Sequence, residues 1–132
     1  MTKGTAMAWV AVPSVVAALA VSGAAVATAD GNAHAAASRA TVSADPGGAL
    51  AFTKHRLTVT HGKVTITMKN PGSSGISHGI AIEGKGVDKD GKVVAPGGTS
   101  KLTLRLKAGR YTFYCPVAGH RAAGMKGRLV VK

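Results

Sequence analysis

The chain has 132 residues, 45% of them hydrophobic, with 17 Lys and Arg against five Asp and Glu and a single cysteine. That length suits one domain and excludes a large multidomain enzyme, and one cysteine excludes an intramolecular disulfide. The formal net charge of +12 calls for an anionic partner or surface, but with 4% aromatic residues and cations scattered singly along the chain, nucleic acid is not the expected partner.

Lys3 precedes Ala6 to Ala29, an uncharged run that closes on Ala27-Thr28-Ala29. A basic start, an apolar stretch and a small-x-small triplet describe a secretory signal peptide over residues 1–29. The alternative is a retained N-terminal membrane anchor, because 24 uncharged residues are long enough to span a bilayer. Pro13, Gly23 and the high alanine content make the run only weakly hydrophobic and favour cleavage. Both readings place the domain outside the cytoplasm: periplasmic, secreted or on the outer face of the cell membrane. Without the leader the chain keeps a net charge of +11. In an oxidising compartment an exposed free thiol is a liability, whereas a metal thiolate is not.

Residues 30–49, "DGNAHAAASRATVSADPGGA", are small, polar and aperiodic, and are expected to be a flexible linker. The domain is then expected over 50–132, about 83 residues, enough for one two-layer core. Its dominant period is two. Val64, Ile66 and Met68 alternate with threonines, as do Leu102, Leu104 and Leu106 with Thr103 and Arg105. Leu57 and Val59, and Ile80 and Ile82, are shorter examples. Such alternation marks strands with one buried and one wet face. His61-Gly62 and Ala108-Gly109 read as turns between them. About seven short antiparallel strands predict an all-β fold, a β-sandwich or small barrel.

Parity then aims the chemistry. In "RYTFYC", Tyr111, Phe113 and Cys115 share a face, so the thiol points to the core at a strand end. Met125, Gly127, Leu129 and Val131 share a face as the last strand begins. His78 has the parity of Ile80 and Ile82. His120 lies midway between Cys115 and Met125, with four residues on either side. Two imidazoles, one thiolate and one thioether suit a trigonal His₂Cys plane with a weak axial Met, the arrangement of electron-transfer copper. Structural zinc sites rarely include Met, and iron–sulfur clusters need more cysteines. A lone imidazole on an apolar face is more often a hydrogen-bonded core residue, so His78 depends on the other three for its reading.

"SHGIAIEG" followed by "YTFYCPVAGHRAAGMKGRLVV" resembles the cupredoxins, the type 1 blue copper proteins of the rusticyanin, plastocyanin and azurin kind. The resemblance runs from about residue 50 to residue 132 and is sharpest in the Cys-to-Met loop. It implies a Greek-key β-sandwich holding one copper ion, Cu(I) or Cu(II), on His78, Cys115, His120 and Met125. It also implies that the His120 imidazole edge lies near the surface. Many family members follow the first histidine with Asn or Ser, which ties the two ligand segments together; this chain has Gly79, so that tie is either missing or supplied by another group, with Ser77 and Ser100 as candidates.

The remaining histidines, His34, His55 and His61, are expected to be exposed or in the linker. They form no second copper centre, so no substrate turnover is expected and the chain reads as a carrier rather than an enzyme. "DKDG", Asp88 to Gly91, lacks the later ligands of a calcium loop and is expected to be a turn in a long loop from Gly84 to Gly98. The leading function is one-electron transfer between redox proteins outside the cytoplasm. The alternatives are a copper carrier or store, and a fold kept only for protein binding. Arg121, Lys126 and Arg128 beside the loop predict donor and acceptor proteins with acidic surfaces. The protein is expected to be a monomer, and its N-terminal segment offers a route to membrane association.

Overall fold

Period-two alternation becomes eight strands in the computed structural model, which describes residue 4 and residues 37–132. The expected leader, residue 4 aside, and the expected linker up to residue 36 lie outside the described residues. Strand β1 is Ser38–Ser43, β2 Arg56–Val59, β3 Gly62–Lys69, β4 Ala81–Gly84, β5 Val87–Asp90, β6 Thr99–Leu106, β7 Gly109–Tyr114 and β8 Lys126–Val131. They form a three-stranded sheet in the order β1-β3-β6 and a five-stranded sheet in the order β2-β8-β7-β4-β5. Inward side chains of both sheets share one core, including Val42, Val64, Ile66 and Met68 from the first and Leu57, Phe113, Leu129 and Val131 from the second. Each large apolar side chain fully buried there contributes about 1.5–3 kcal/mol. The expected β-sandwich is therefore what the chain forms.

Three expectations need correction. The linker ends sooner than residue 49, because Ser38–Ser43 is a strand that pairs with β3 and buries Val42 against the core. The long loop from Gly84 to Gly98 contains β5, which forms a hairpin with β4 and places Asp88 opposite Glu83. The strands are not all antiparallel: β1 runs parallel to β3, and β2 parallel to β8. The chain starts in one sheet, crosses to the other at β2 and returns at β3, so consecutive strands often lie in different layers. Among the described residues no helix is long and apolar enough to cross a membrane.

The site end is built where β7 runs into β8. Cys115 follows the last residue of β7, and Met125 precedes the first residue of β8. His78 enters from a third segment, bridged to Val94 ahead of β4. Parity holds for the expected inward set: Tyr111, Phe113, Cys115, Met125, Leu129 and Val131 are all buried.

Candidate metal centre

The Cys-to-Met loop is wound tightly enough to fix its own ends. The Cys115 amide donates to the Met125 carbonyl at 3.0 Å, the Met125 amide to the His120 carbonyl at 3.0 Å, and the His120 amide to the Val117 carbonyl at 3.1 Å. Gly119 and Gly124 take the left-handed φ values of 81° and 112° that these turns require. The loop's backbone thus holds the three side chains it carries without help from the side chains themselves.

Inside, Cys115 Sγ lies 3.5 Å from His120 Nδ1 and 3.8 Å from His78 Nδ1. The two imidazole centroids are 5.1 Å apart. An ion bonded to sulfur at about 2.3 Å and to nitrogen at about 2.0 Å, with an angle of about 110–120° between them, sets those atoms about 3.5–3.8 Å apart. Both sulfur–nitrogen separations match. The described residues therefore bring His78, Cys115 and His120 into one cluster whose ligand atoms all lie within 4.8 Å of one another. Met125 is fully buried beside them, its backbone bonded to both Cys115 and His120.

His78 is not an ordinary core histidine. It is 0% exposed, Nδ1 faces only the thiol, and Nε2 has no hydrogen-bond partner among the described residues. Such an orphaned buried group costs about 1–3 kcal/mol, which a purely structural histidine would not incur without return. Burial, and then the neighbouring His120 charge, lower its pKa. The ring is therefore neutral at pH 7, the state that leaves a lone pair for a metal. Cys115, His78 and Met125 are closed to solvent, while His120 is half-buried. His55 and His61 are exposed, as expected, and are not part of the cluster.

What replaces the side chain expected after the first histidine is backbone. The Gly79 amide points at Cys115 Sγ at 3.5 Å and joins the two ligand segments directly. A Cβ at position 79 would lie 3.1 Å from the Lys92 carbonyl and 3.2 Å from the Pro116 ring, so close approach of three segments explains the glycine. Neither candidate bonds to the ligand segments among the described residues: Ser100 donates to the Lys92 carbonyl, and Ser77 is exposed. The residue missed is Asn70. Buried at 1% exposure, its amide nitrogen donates to the Ile76 carbonyl at 2.9 Å and the Val94 carbonyl at 3.0 Å, and its oxygen accepts from Ser74. It clamps the segment leading to His78 against its bridge partner. Asn70→Leu removes one of two partners from the Val94 carbonyl, the Ile76 carbonyl and the Ser74 hydroxyl, and is expected to cost about 1–2 kcal/mol of stability, read by denaturant unfolding. Unchanged stability would remove Asn70 from this role.

Arg121, next to His120, is not the free cation expected. Its guanidinium forms a forked pair with Glu83 of β4, one arm at 2.9 Å, and lies 4.3 Å above the Tyr114 ring. The Tyr114 hydroxyl in turn reaches Asp90 at 3.3 Å and Asp88 at 3.4 Å on β5. Burial first, then these two carboxylates, push its pKa up to about 12. The ligand loop is thereby tied to the β4–β5 hairpin.

Comparison with known proteins agrees with this geometry. Residues 38–132 match the sequence model of the copper-binding proteins of the plastocyanin/azurin family. No curated protein sequence matches the chain. Among solved structures, auracyanin B superposes with a TM-score of 0.63 at 24% identity, covering 71% of this chain and 88% of its own. A dithionite-reduced auracyanin from the photosynthetic bacterium Roseiflexus castenholzii gives 0.63 at 27% identity, covering 71% and 96%. A reduced amicyanin variant gives 0.53 at 18% identity, covering 71% and 82%, a likeness of fold alone. With the match beginning at the first residue of β1 and running to the last residue of the chain, this protein belongs to the plastocyanin/azurin family of copper-binding proteins and is a cupredoxin that takes one copper ion.

Proposed function

We propose that the protein carries single electrons between redox proteins outside the cytoplasm, with His78, Cys115, His120 and Met125 as the residues that would hold the copper. The convergence of two imidazole Nδ1 atoms on one buried sulfur, at 3.5 and 3.8 Å, carries this reading. Bound copper supplies a one-electron couple, Cu(II) to Cu(I). The chain supplies the rest. Strand ends and the loop's own backbone bonds fix the donor atoms, so they need not move when the charge on the site changes. Burial of Cys115, His78 and Met125 excludes water and external ligands. His120, flanked by Pro116, Val117, Ala118 and Gly119, is the donor nearest the surface and the route by which an electron leaves. Small side chains around it permit close but weak contact, as a transient redox encounter requires.

A carrier that passes copper on needs donors within a partner's reach. Three of the four here are fully closed, which favours electron transfer over storage or delivery. The export signal read at 1–29 supports an extracytoplasmic place. The net charge of +11 after its removal, with Lys126 and Arg128 exposed near the site, supports donor and acceptor proteins with acidic surfaces.

The test is a visible spectrum of the protein on addition of copper(II). An intense blue thiolate-to-copper band is expected; a colourless copper adduct would overturn the proposal. Met125→Leu is expected to keep the copper and the colour while raising the reduction potential, because the weak donor that helps stabilise Cu(II) is gone. Voltammetry showing no change would remove Met125 from the set of residues that would hold the copper.

A further inference from the structure

Away from the copper end, the outer face of the three-stranded sheet has an unusual composition. Its outward positions are those that alternate with the buried Val42, Val64, Ile66, Met68 and Leu102 along β1, β3 and β6. Five of them are cations: Arg39, Lys63, Lys69, Lys101 and Arg105. Every other outward residue on these strands is Thr or Ser, with Thr65 and Thr103 sharing a hydroxyl hydrogen bond at 2.9 Å at the centre. No acidic, apolar or aromatic side chain projects from it.

Among the described residues none of the five cations has an acidic partner. Among the described residues the one salt bridge is Arg121 with Glu83. Glu83, Asp88 and Asp90 all lie on β4 and β5 of the other sheet. Asp45 is spent on the Gly47 and Ala49 amides at 2.9 and 3.1 Å. The register sharpens the point, because Lys63 stands directly opposite Arg105 across β3 and β6. Like charges facing each other on adjacent strands destabilise a sheet. Arg39, opposite Thr65, is a diagonal neighbour of Lys63, and Lys69, opposite Thr99, is a diagonal neighbour of Lys101. A sheet that accepts this repulsion when free gains most where a layer of negative charge covers it.

We infer that the outer face of β1, β3 and β6 adsorbs to the surface of a membrane rich in anionic lipid. The ligand chemistry is a planar array of phosphate and carboxylate groups: lysine and arginine neutralise them and the threonine and serine hydroxyls donate hydrogen bonds between them. Three strands of up to eight residues present a face of about 10 by 25 Å, the scale of several headgroups. With no apolar side chain to insert, contact stays at headgroup depth, so it is governed by charge and screened by salt. A protein partner fits less well, because interface centres use aromatic and apolar anchors and disfavour lysine. A nucleic acid strand would find no aromatic ring on which to stack. Adsorption by this face uses neither the ligand loop nor His120, leaving the copper end free to meet soluble partners.

The experiment is lysine acylation read by mass spectrometry, on the full chain mixed with phosphatidylcholine vesicles, with or without about 30 mol% phosphatidylglycerol, at about 0.1 M salt. On anionic vesicles Lys63, Lys69 and Lys101 are expected to react several-fold more slowly than on neutral ones, while Lys126, which projects outward from β8 of the other sheet, keeps its rate. This readout holds even if the N-terminal segment tethers the chain to both kinds of vesicle. The double variant Lys63→Gln/Arg105→Gln is expected to weaken anionic-vesicle protection about thirtyfold; the equal charge loss Arg56→Gln/Arg128→Gln on the other sheet should leave it nearly intact. Lys63→Glu should lose protection while raising Tm by about 2–4 °C through relief of the opposed pair, which separates lost binding from lost folding. Protection spread evenly over all lysines, equal losses in the two double variants, or protection by a soluble acidic polymer but not by vesicles would each overturn the inference.

Discussion

Cys115→Ser is expected to abolish the intense visible band of the copper-loaded protein outright. The sulfur is the hub of the cluster: both imidazole Nδ1 atoms approach it, at 3.5 and 3.8 Å, and the Gly79 amide points at it from 3.5 Å. A hydroxyl is a harder donor that stays protonated at neutral pH, so it supplies no thiolate charge transfer. Fold loss is not the expected cause, because the exchange is nearly isosteric and the Cys115 amide keeps its bond to the Met125 carbonyl. The variant should retain its circular dichroism and bind copper more weakly through the imidazoles. A mutant that stays blue would move the thiolate assignment elsewhere, and the sequence has no second cysteine to receive it.

Much of this site was legible because strand parity is a local rule. Tyr111, Phe113 and Cys115 had to face one way once β7 was a strand, and Met125 followed from Leu129 and Val131 by the same step. The Cys-to-Met spacing then brought His120 in. His78 was found by parity too, although residues 78–82 are all buried, so its stretch shows no inside–outside contrast in the structure. Placement there came from the apolar Ile80 and Ile82 rather than from alternation.

What local rules missed depends on pairing with another segment. β1, "SRATVS", carries one fully buried side chain, Val42, and only its parallel register with β3 makes it a strand. β5, "VDKD", has three exposed polar residues and is held by β4. Asn70 looks like a turn residue until its amide is seen spanning Ile76 and Val94. Arg121 looked like a free charge because Glu83 lies 38 residues away in sequence. In each case the deciding partner lies on another segment that no periodicity connects to it.

His120→Gly and His78→Gly are expected to give opposite results when imidazole is added. Both remove a donor and should bleach the blue band. The loop around position 120 is held by main-chain bonds from Cys115, Met125 and His120 and by Arg121 on Glu83, none of which uses the His120 ring. It should therefore keep its shape, leaving a half-exposed opening in which free imidazole can take the place of the lost ring and restore the band. Position 78 offers no such entrance. Its side chain is 0% exposed on a segment bridged to Val94, and a cavity there should stay closed to solute and destabilise the core by about 2–5 kcal/mol. Adding Glu83→Gln to His120→Gly weakens the tie between loop and β4, so the same recovery should require several-fold more imidazole, even though an exposed pair of this kind contributes only about 0–1 kcal/mol to stability. Recovery of colour in His78→Gly but not in His120→Gly would reverse the assignment of buried and exit histidine, and with it the route proposed for the electron.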